Sequence, residues 1–194
     1  MAGNMIEFQI DEATMTAVQT KLKNMKAKTP NAMRNAINQT ATATNRKIKK
    51  GRSEGYTIKA GSFNKQITVQ RANRAYMDAT IKAKGRTRTI KEFKTKMSTH
   101  GAKTDITKSG LKALVNEAGA TAFMATGGKV AGLYVQRETS ERYPLRVLHA
   151  NSVPIMVRKI YEGERGRQGN LEPYIQKLLY KNLSKQIDKI LGGK

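Results

Sequence analysis

Few residues in this chain have side chains suited to catalysis. Its 194 residues include two histidines, His100 and His149, and neither cysteine nor tryptophan. A hydrolytic triad requires a base beside an activated serine or cysteine. Neither histidine accompanies a Gly-x-Ser-x-Gly elbow, and two histidines so far apart make no metal-ligand spacing. Gly127-Gly128-Lys129 is superficially similar to the end of a phosphate-binding loop. That motif, however, demands glycine where Phe123 stands and Ser or Thr where Val130 stands, so a hairpin turn is the simpler reading. The acids are too scattered for a two-metal centre. No catalytic residue, metal ligand or cofactor site is expected, and the sequence reads as that of a non-enzyme.

The chemistry that remains is electrostatic. Lys+Arg number 37 and Asp+Glu 14, for a net charge of +23. Residues 13–104 carry 22 Lys/Arg against only Glu54, Asp78 and Glu92, and no acid lies between Ala13 and Ser53. Such a block repels itself unless it is spread out or neutralised by a polyanion or an acidic neighbour. Two clusters stand out. Arg46, Lys47, Lys49 and Lys50 fall where a helix is expected to end, a position that suits cations through the helix dipole alone. Lys82, Lys84, Arg86 and Arg88 alternate, so on an extended chain all four would point one way. These eight are the candidate DNA- or partner-facing residues. Solubilising an edge strand explains the second cluster equally well. Base-specific readout is less supported: there is no zinc finger and no RNP aromatic pair, and Thr29-Pro30 lacks the tight glycine turn of a helix-turn-helix.

Positioning these charges falls to elements that the patterning predicts. Ile6, Phe8 and Ile10 alternate with polar residues as in a half-buried strand, and Asp11 can cap a helix carrying Ala13, Met15, Val18, Leu22 and Met25. Thr29 is expected as the N-cap of a second helix, with Pro30 at its first position and Met33, Ala36, Ile37, Ala41 and Ile48 on one side, ending at Gly51. A short helix near Gly61–Gln66 and two antiparallel strands around Ile67–Val69 and Met77–Ala83 follow. Residues 98–110 are polar and patternless and are expected to be a mobile loop. Short patches at Ala122–Met124, Leu133–Val135 and Leu145–Leu148 predict a three-strand meander. Ser152, with Pro154 behind it, starts a helix. Gly163–Gly169 interrupts, and Asn170 caps a final helix striped by Leu171, Ile175, Leu179, Leu183 and Ile187. The expectation is an α+β fold: an antiparallel β-sheet packed by N-terminal helices and a long C-terminal helix, with that helix's stripe on its own sheet or, as the alternative, against a neighbouring subunit. One domain spans 1–194, as 1–55 (strand and helical hairpin), 56–150 (β-rich) and 151–194 (C-terminal helices).

Without cysteine there is no disulfide framework. No apolar run approaches the roughly 18–20 residues that cross a bilayer, so no membrane partner is expected. The first eight residues have neither a basic nor an apolar signal region, which points to assembly in a cytoplasm rather than export.

The ordered string Ala122-Phe123-Met124, a glycine turn, Leu133-Tyr134-Val135-Gln136-Arg137, Arg142-Tyr143-Pro144-Leu145 and Ser152-Val153-Pro154 resembles the minor tail protein Z family of tailed bacteriophages. The basic N-terminal helices and the segment around Gly61, Ile67 and Ile81 follow the family plan at lower identity, while the glycine-rich interruption at 163–169 departs from it. The resemblance implies a virion protein of the tail or neck, assembled in the host cytoplasm. It would be a tail-completion component that helps join the tail to the head around the DNA path. The partners it implies are further copies in a ring, sixfold by expectation, the tail terminator or tail tube protein, and the head–tail connector or adaptor proteins. Nonspecific contact with genomic DNA is also expected. The alternative from another class is a general, sequence-nonspecific nucleic-acid-binding protein, such as a ribosome-associated or packaging factor.

Overall fold

The computed structural model describes residues 5–8, 10–21 and 28–192. Strand β1 (Met5–Phe8) leads into helix α1 (Glu12–Lys21). Asp11 caps that helix as its side chain suggested, accepting from the Thr14 backbone N–H at 2.7 Å and from its hydroxyl at 2.8 Å. Leu22 and Met25 lie outside the described residues. Helix α2 (Thr29–Gly55) then runs for 27 residues. Its N-cap position is Lys28, not Thr29. Thr29 is buried inside the first turn, and its hydroxyl has no hydrogen-bond partner.

Helix α3 (Ala60–Asn64) precedes strands β2 (Ile67–Gln70) and β3 (Ala79–Ala83). Together with β1 these form an antiparallel sheet in the order β1-β3-β2, with Ile81 opposite both Ile6 and Val69. The connection between β2 and β3 is fastened to α2 through Asn38. Its amide donates to the Ala72 carbonyl at 3.0 Å, and its oxygen accepts from the Ala72 N–H at 2.9 Å.

Three further small sheets follow. Strand β4 (Arg88–Thr89) pairs with a later strand, and β5 (Lys94–Ser98) and β6 (Gly101–Asp105) make a hairpin extended by β7 (Lys112–Ala113). The expected meander is present as β8 (Phe123–Met124), β9 (Tyr134–Arg137) and β10 (Leu145–Val147), ordered β10-β9-β8. Strand β11 (His149–Ala150) returns to β4. Two helices end the chain: α4 (Val153–Tyr161), with Pro154 in its first turn, and α5 (Leu171–Ile190), where the Asn170 side chain caps the Glu172 N–H at 2.9 Å. Ser152 occupies the N-cap position of α4 without a side-chain capping bond.

The α+β class stands, with antiparallel pairing throughout. The stripe of α5, however, packs on helices rather than on the sheet. Leu183 and Ile187 cluster with Val18 of α1 and with Met33 and Ala36 of α2, and Asn182 donates to the Thr40 hydroxyl at 3.0 Å. Leu171 and Ile175 complete the main core, where Ile37, Ala41 and Ile48 of α2 meet Ile81, Phe63, Val153, Met156 and Ile160.

Two further sequence expectations fail for physical reasons. Gly51 does not end α2, because its missing side chain serves packing: a Cβ there would stand 2.4 Å from Ile160 Cγ2. The helix continues to Gly55, where a Cβ would meet the Gly166 backbone nitrogen at 2.8 Å. The segment 98–110 is not a loop as a whole, since Gly101–Asp105 is strand. Gly101 holds φ +105, and a Cβ on it would lie 2.6 Å from the Thr121 Cβ, so the hairpin tip abuts the meander. Bonds from Ala102 N–H to Ala122 O (2.7 Å) and from Leu114 N–H to Ala102 O (3.1 Å) hold it there.

Gly51→Ala sets helix propensity against packing. Alanine gains up to about 1 kcal/mol over glycine in a helix, whereas overpacking a core costs about 1–3 kcal/mol. Because Ile160 is branched and fully buried, packing should win, with a net loss of about 1–2 kcal/mol in urea denaturation. Gly61→Ala, where no atom lies within 4 Å, should be neutral or stabilising by up to about 1 kcal/mol. The reverse order would show that α2 and α4 are not in close contact. The glycine-rich turn 163–169 offers a second test. The Arg167 N–H donates to Glu54 Oε2 at 3.1 Å, and this bond is the main reason the Glu54 carboxyl sits below its ordinary 4.5, with burial acting against it. A depressed carboxyl contributes fully above its unfolded pKa and progressively less as pH falls through the folded value. The turn should therefore hold to α2 at neutral pH and loosen below about 4.5. Glu54→Gln should lower hydrogen-exchange protection of the Arg167 amide at neutral pH, and equal protection would contradict this.

Candidate functional site

The eight bases singled out in the sequence do not form one surface. Strand β3 ends at Ala83, and Gly85, at φ +138, turns the chain. Lys82 is half-buried mid-strand between Met5 and Thr68, whereas Lys84 and Arg86 are exposed beyond the strand end. Arg88 belongs to a different sheet and is turned inward. Its Nη2 donates to the Ser62 carbonyl at 3.2 Å, and its Nη1 lies 3.6 Å from Glu92. The expectation that all four point one way is thus overturned.

On α2 the cluster also divides. Arg46 and Lys50 are exposed, and Lys50 pairs with Glu54 at 3.7 Å. Lys47 is half-buried, its Nζ 4.7 Å from the centre of the Tyr174 ring, where a cation–π contact ties α2 to α5. Lys49 is half-buried as well. Because α2 runs to Gly55, this run lies more than a turn from the helix end, and the dipole explanation loses force.

A different basic surface is brought together on the β5–β6 hairpin. Lys96 stands directly opposite Lys103, with Lys94 opposite Asp105 one step along, and all three lysines are exposed. On the other face of the hairpin Ala102 and Thr104 are buried and the Thr95 and Thr104 hydroxyls meet at 3.0 Å, whereas Met97, opposite Ala102, is exposed. At the hairpin base, a cleft of about 570 Å³ lies between Arg52, Lys94, Asp105 and Lys108. Its charges are largely answered within the chain. Lys108 Nζ donates to the Ser53 carbonyl at the end of α2, Arg52 Nη1 donates to Ile58 O at 3.1 Å, and the Asp105 carboxylate accepts from the Ser109 N–H at 3.1 Å. Lys103 was missed in the sequence because the buried residues of that face, Ala102 and Thr104, are small or polar, and its large apolar residue, Met97, is exposed. The signal available was the two-residue alternation of Lys94-Thr95-Lys96.

A second surface gathers residues of the C-terminal string. The Arg137 guanidinium lies 5.8 Å from the Phe123 ring centre, and Arg142 lies 5.7 Å from that of Tyr143. Arg137, Arg142 and Tyr143 are exposed, as are Met124 and Val115. Arg137 and Arg146 also line a cleft of about 590 Å³ against Glu117 and Glu138.

His100 is exposed in the β5–β6 turn, and His149 Nδ1 lies 3.0 Å from the Val147 carbonyl. Gly128–Val130 forms a single 3-10 turn within the β8–β9 connection. Among the described residues no group of three or more His, Asp or Glu side chains could hold a metal ion, and no helix is long and apolar enough to cross a membrane. Burial raises the Tyr56 hydroxyl pKa, with the charge of Arg165 pulling the other way. Comparison with protein-family models, with curated proteins and with solved structures returned no match.

The inward position of Arg88 separates it from its neighbours in a simple experiment. Arg88→Ala should lower stability by about 1–3 kcal/mol through its charge-assisted bond to Ser62 O and the unpaired carbonyl left behind. Lys84→Ala and Arg86→Ala should stay within about 0.5 kcal/mol of the parent chain. Equal effects of all three in denaturant titrations would return Arg88 to the exposed set.

Proposed function

We propose that this chain is a structural virion protein of a tailed bacteriophage or prophage, a tail-completion or neck component at the head-proximal end of the tail. It would act as a homo-oligomeric ring, with sixfold order the first to test. It would contact the tail terminator or tail tube on one side and head–tail connector or adaptor proteins on the other. The observation that carries this reading is the string from Ala122 to Pro154, which runs without a break through the β8–β9–β10 sheet, then β11, which pairs with β4, and the start of α4. Its Arg137–Phe123 and Arg142–Tyr143 pairs lie on or near the surface, and Arg and aromatic side chains are the types enriched where proteins meet. Among the described residues each of the four sheets has at most three strands, and a strand edge left open is a surface with which a neighbouring chain can pair.

A sequence-nonspecific nucleic-acid-binding protein is the second reading. It is favoured by the +23 charge, against which only Lys50, Arg88, Arg158 and Lys159 form ion pairs among the described residues.

Particles of the phage or prophage that encodes the chain separate the two. Deleting the gene should leave filled heads and tails that fail to join, and a tagged copy should map by electron microscopy to the head-proximal tail end. Native mass spectrometry of the purified chain should show closed rings. Normal joining without the chain, together with its absence from purified particles, would discard the neck assignment and leave the second reading.

A further inference from the structure

The β5–β6 hairpin carries a charge arrangement that folding alone disfavours. Lys96 and Lys103 are directly opposed across the strand pair, and like charges in that relation destabilise a sheet. Lys94 lies diagonal to Lys103 on the same face, within the reach of a long side chain. Asp105 does not relieve them. It is 6 % exposed, its carboxylate takes the Ser109 N–H, and no ion pair joins it to a lysine among the described residues. Lysines on an edge strand ordinarily guard against aggregation, which accounts for Lys94 and Lys96 on β5. It does not account for Lys103, because β6 is the central strand of β5-β6-β7. The hairpin is also anchored: its tip packs at Gly101 against Thr121, and on its opposite face Ala102 and Thr104 are buried, while Met97 is exposed.

We infer that this face, formed by Lys94, Lys96 and Lys103, binds the phosphate backbone of duplex DNA without reading its sequence. The residues that share this face with the lysines are Ser98, Gly101, the buried Asp105 and, on β7, Ala113, so its paired strands offer no aromatic or large apolar anchor. Protein–protein interfaces are built on such anchors and are depleted in lysine, whereas interfaces with DNA are polar and strongly positive. Residues two apart on a strand are about 6.8 Å apart, a spacing from which the long, flexible side chains of Lys94 and Lys96 can each reach a different phosphate of one DNA strand. The inference rests on the neck reading only for why DNA would be within reach, and it assigns the surface that faces the DNA path.

The test uses the full chain and short duplexes of two unrelated sequences, with affinity measured by fluorescence anisotropy across a salt series. The parent chain should bind both duplexes alike, with log K falling linearly in log salt. Lys96→Ala/Lys103→Ala should make that slope shallower by about 1.8, since each lost phosphate contact removes about 0.9. Lys84→Ala/Arg86→Ala should leave it unchanged. Lys103→Glu replaces a like-charge pair with an opposite one, so its melting temperature should equal or exceed that of the parent while its DNA affinity falls. A purely structural role for these lysines would not move stability and binding in opposite directions.

An unchanged slope in the double alanine variant, or no duplex binding by the parent, overturns the inference while leaving ring formation and tail joining untouched. Binding of poly-glutamate as tight as that of duplex, lost in the same variants, overturns it in favour of an acidic protein neighbour. A slope change with a chain absent from phage particles sustains the surface and removes the neck reading.

Discussion

Close approach along one face of α2 is the constraint on which the rest of the molecule depends. Ala36, Thr40, Ala41, Thr44, Gly51 and Gly55 are all buried on it. At 1.5 Å per residue the helix is about 40 Å long, enough to reach across a small domain. Its beginning meets α1 and α5, its middle meets the first sheet, and its end meets α4 and the glycine-rich turn. Little in the local sequence favours so long a helix. Two glycines and several threonines lie inside it, and the Thr40 and Thr42 hydroxyls return to the Ala36 and Asn38 carbonyls. Its helicity comes from being covered, as tertiary packing rather than propensity stabilises most helices in proteins. Small residues make that covering possible because they let Ile160 and the backbone of Gly166 come within contact distance.

That dependence explains which parts of the fold were legible. Where large apolar residues set the period, reading succeeded: Ile67 and Val69 against Ile81, the Phe123–Tyr134–Leu145 meander, and the stripe of α5 with its Asn170 cap. Where small residues do the packing, reading failed. Gly51 has the signature of a helix stop, and no local pattern distinguishes a glycine that ends a helix from one that admits a neighbouring side chain. The stripe of α5 was visible, but its destination was not, since Ala36 and Met33 on α2 and a sheet face offer similar apolar cover. The β5–β6 hairpin was lost for the same reason, since Ala102 and Thr104 are the residues buried on its inner face.

The basic residues were legible as a composition and not as a surface. A two-residue period from Lys82 to Arg88 is real in the sequence, yet it spans a strand end, a glycine at positive φ and the start of another sheet. Alternation fixes a common face only while a strand lasts. Arg88 is then claimed by Ser62 and Glu92, and Lys47 by Tyr174, so two of the eight serve cohesion. A charge count cannot separate cohesive cations from outward ones, because that depends on which carbonyls and rings the fold brings near.

The anchoring of the hairpin by strand pairing and at Gly101 changes what its charge can do. A mobile lysine-rich loop would have to lose conformational freedom on meeting a polyanion, and that ordering cost would weaken the contact. Lysines on a strand pair pinned at Gly101 carry no such backbone cost; only the side chains remain to be ordered. Opposing Lys96 to Lys103 costs the free chain about 0.2–1 kcal/mol, small beside the stability of a domain. The same opposition is relieved whenever an anion lies between them. In the proposed ring the arrangement would repeat at every subunit, so a weak contact per chain would add around the circumference while discriminating no base. Such a surface suits holding DNA in passage better than choosing a site on it.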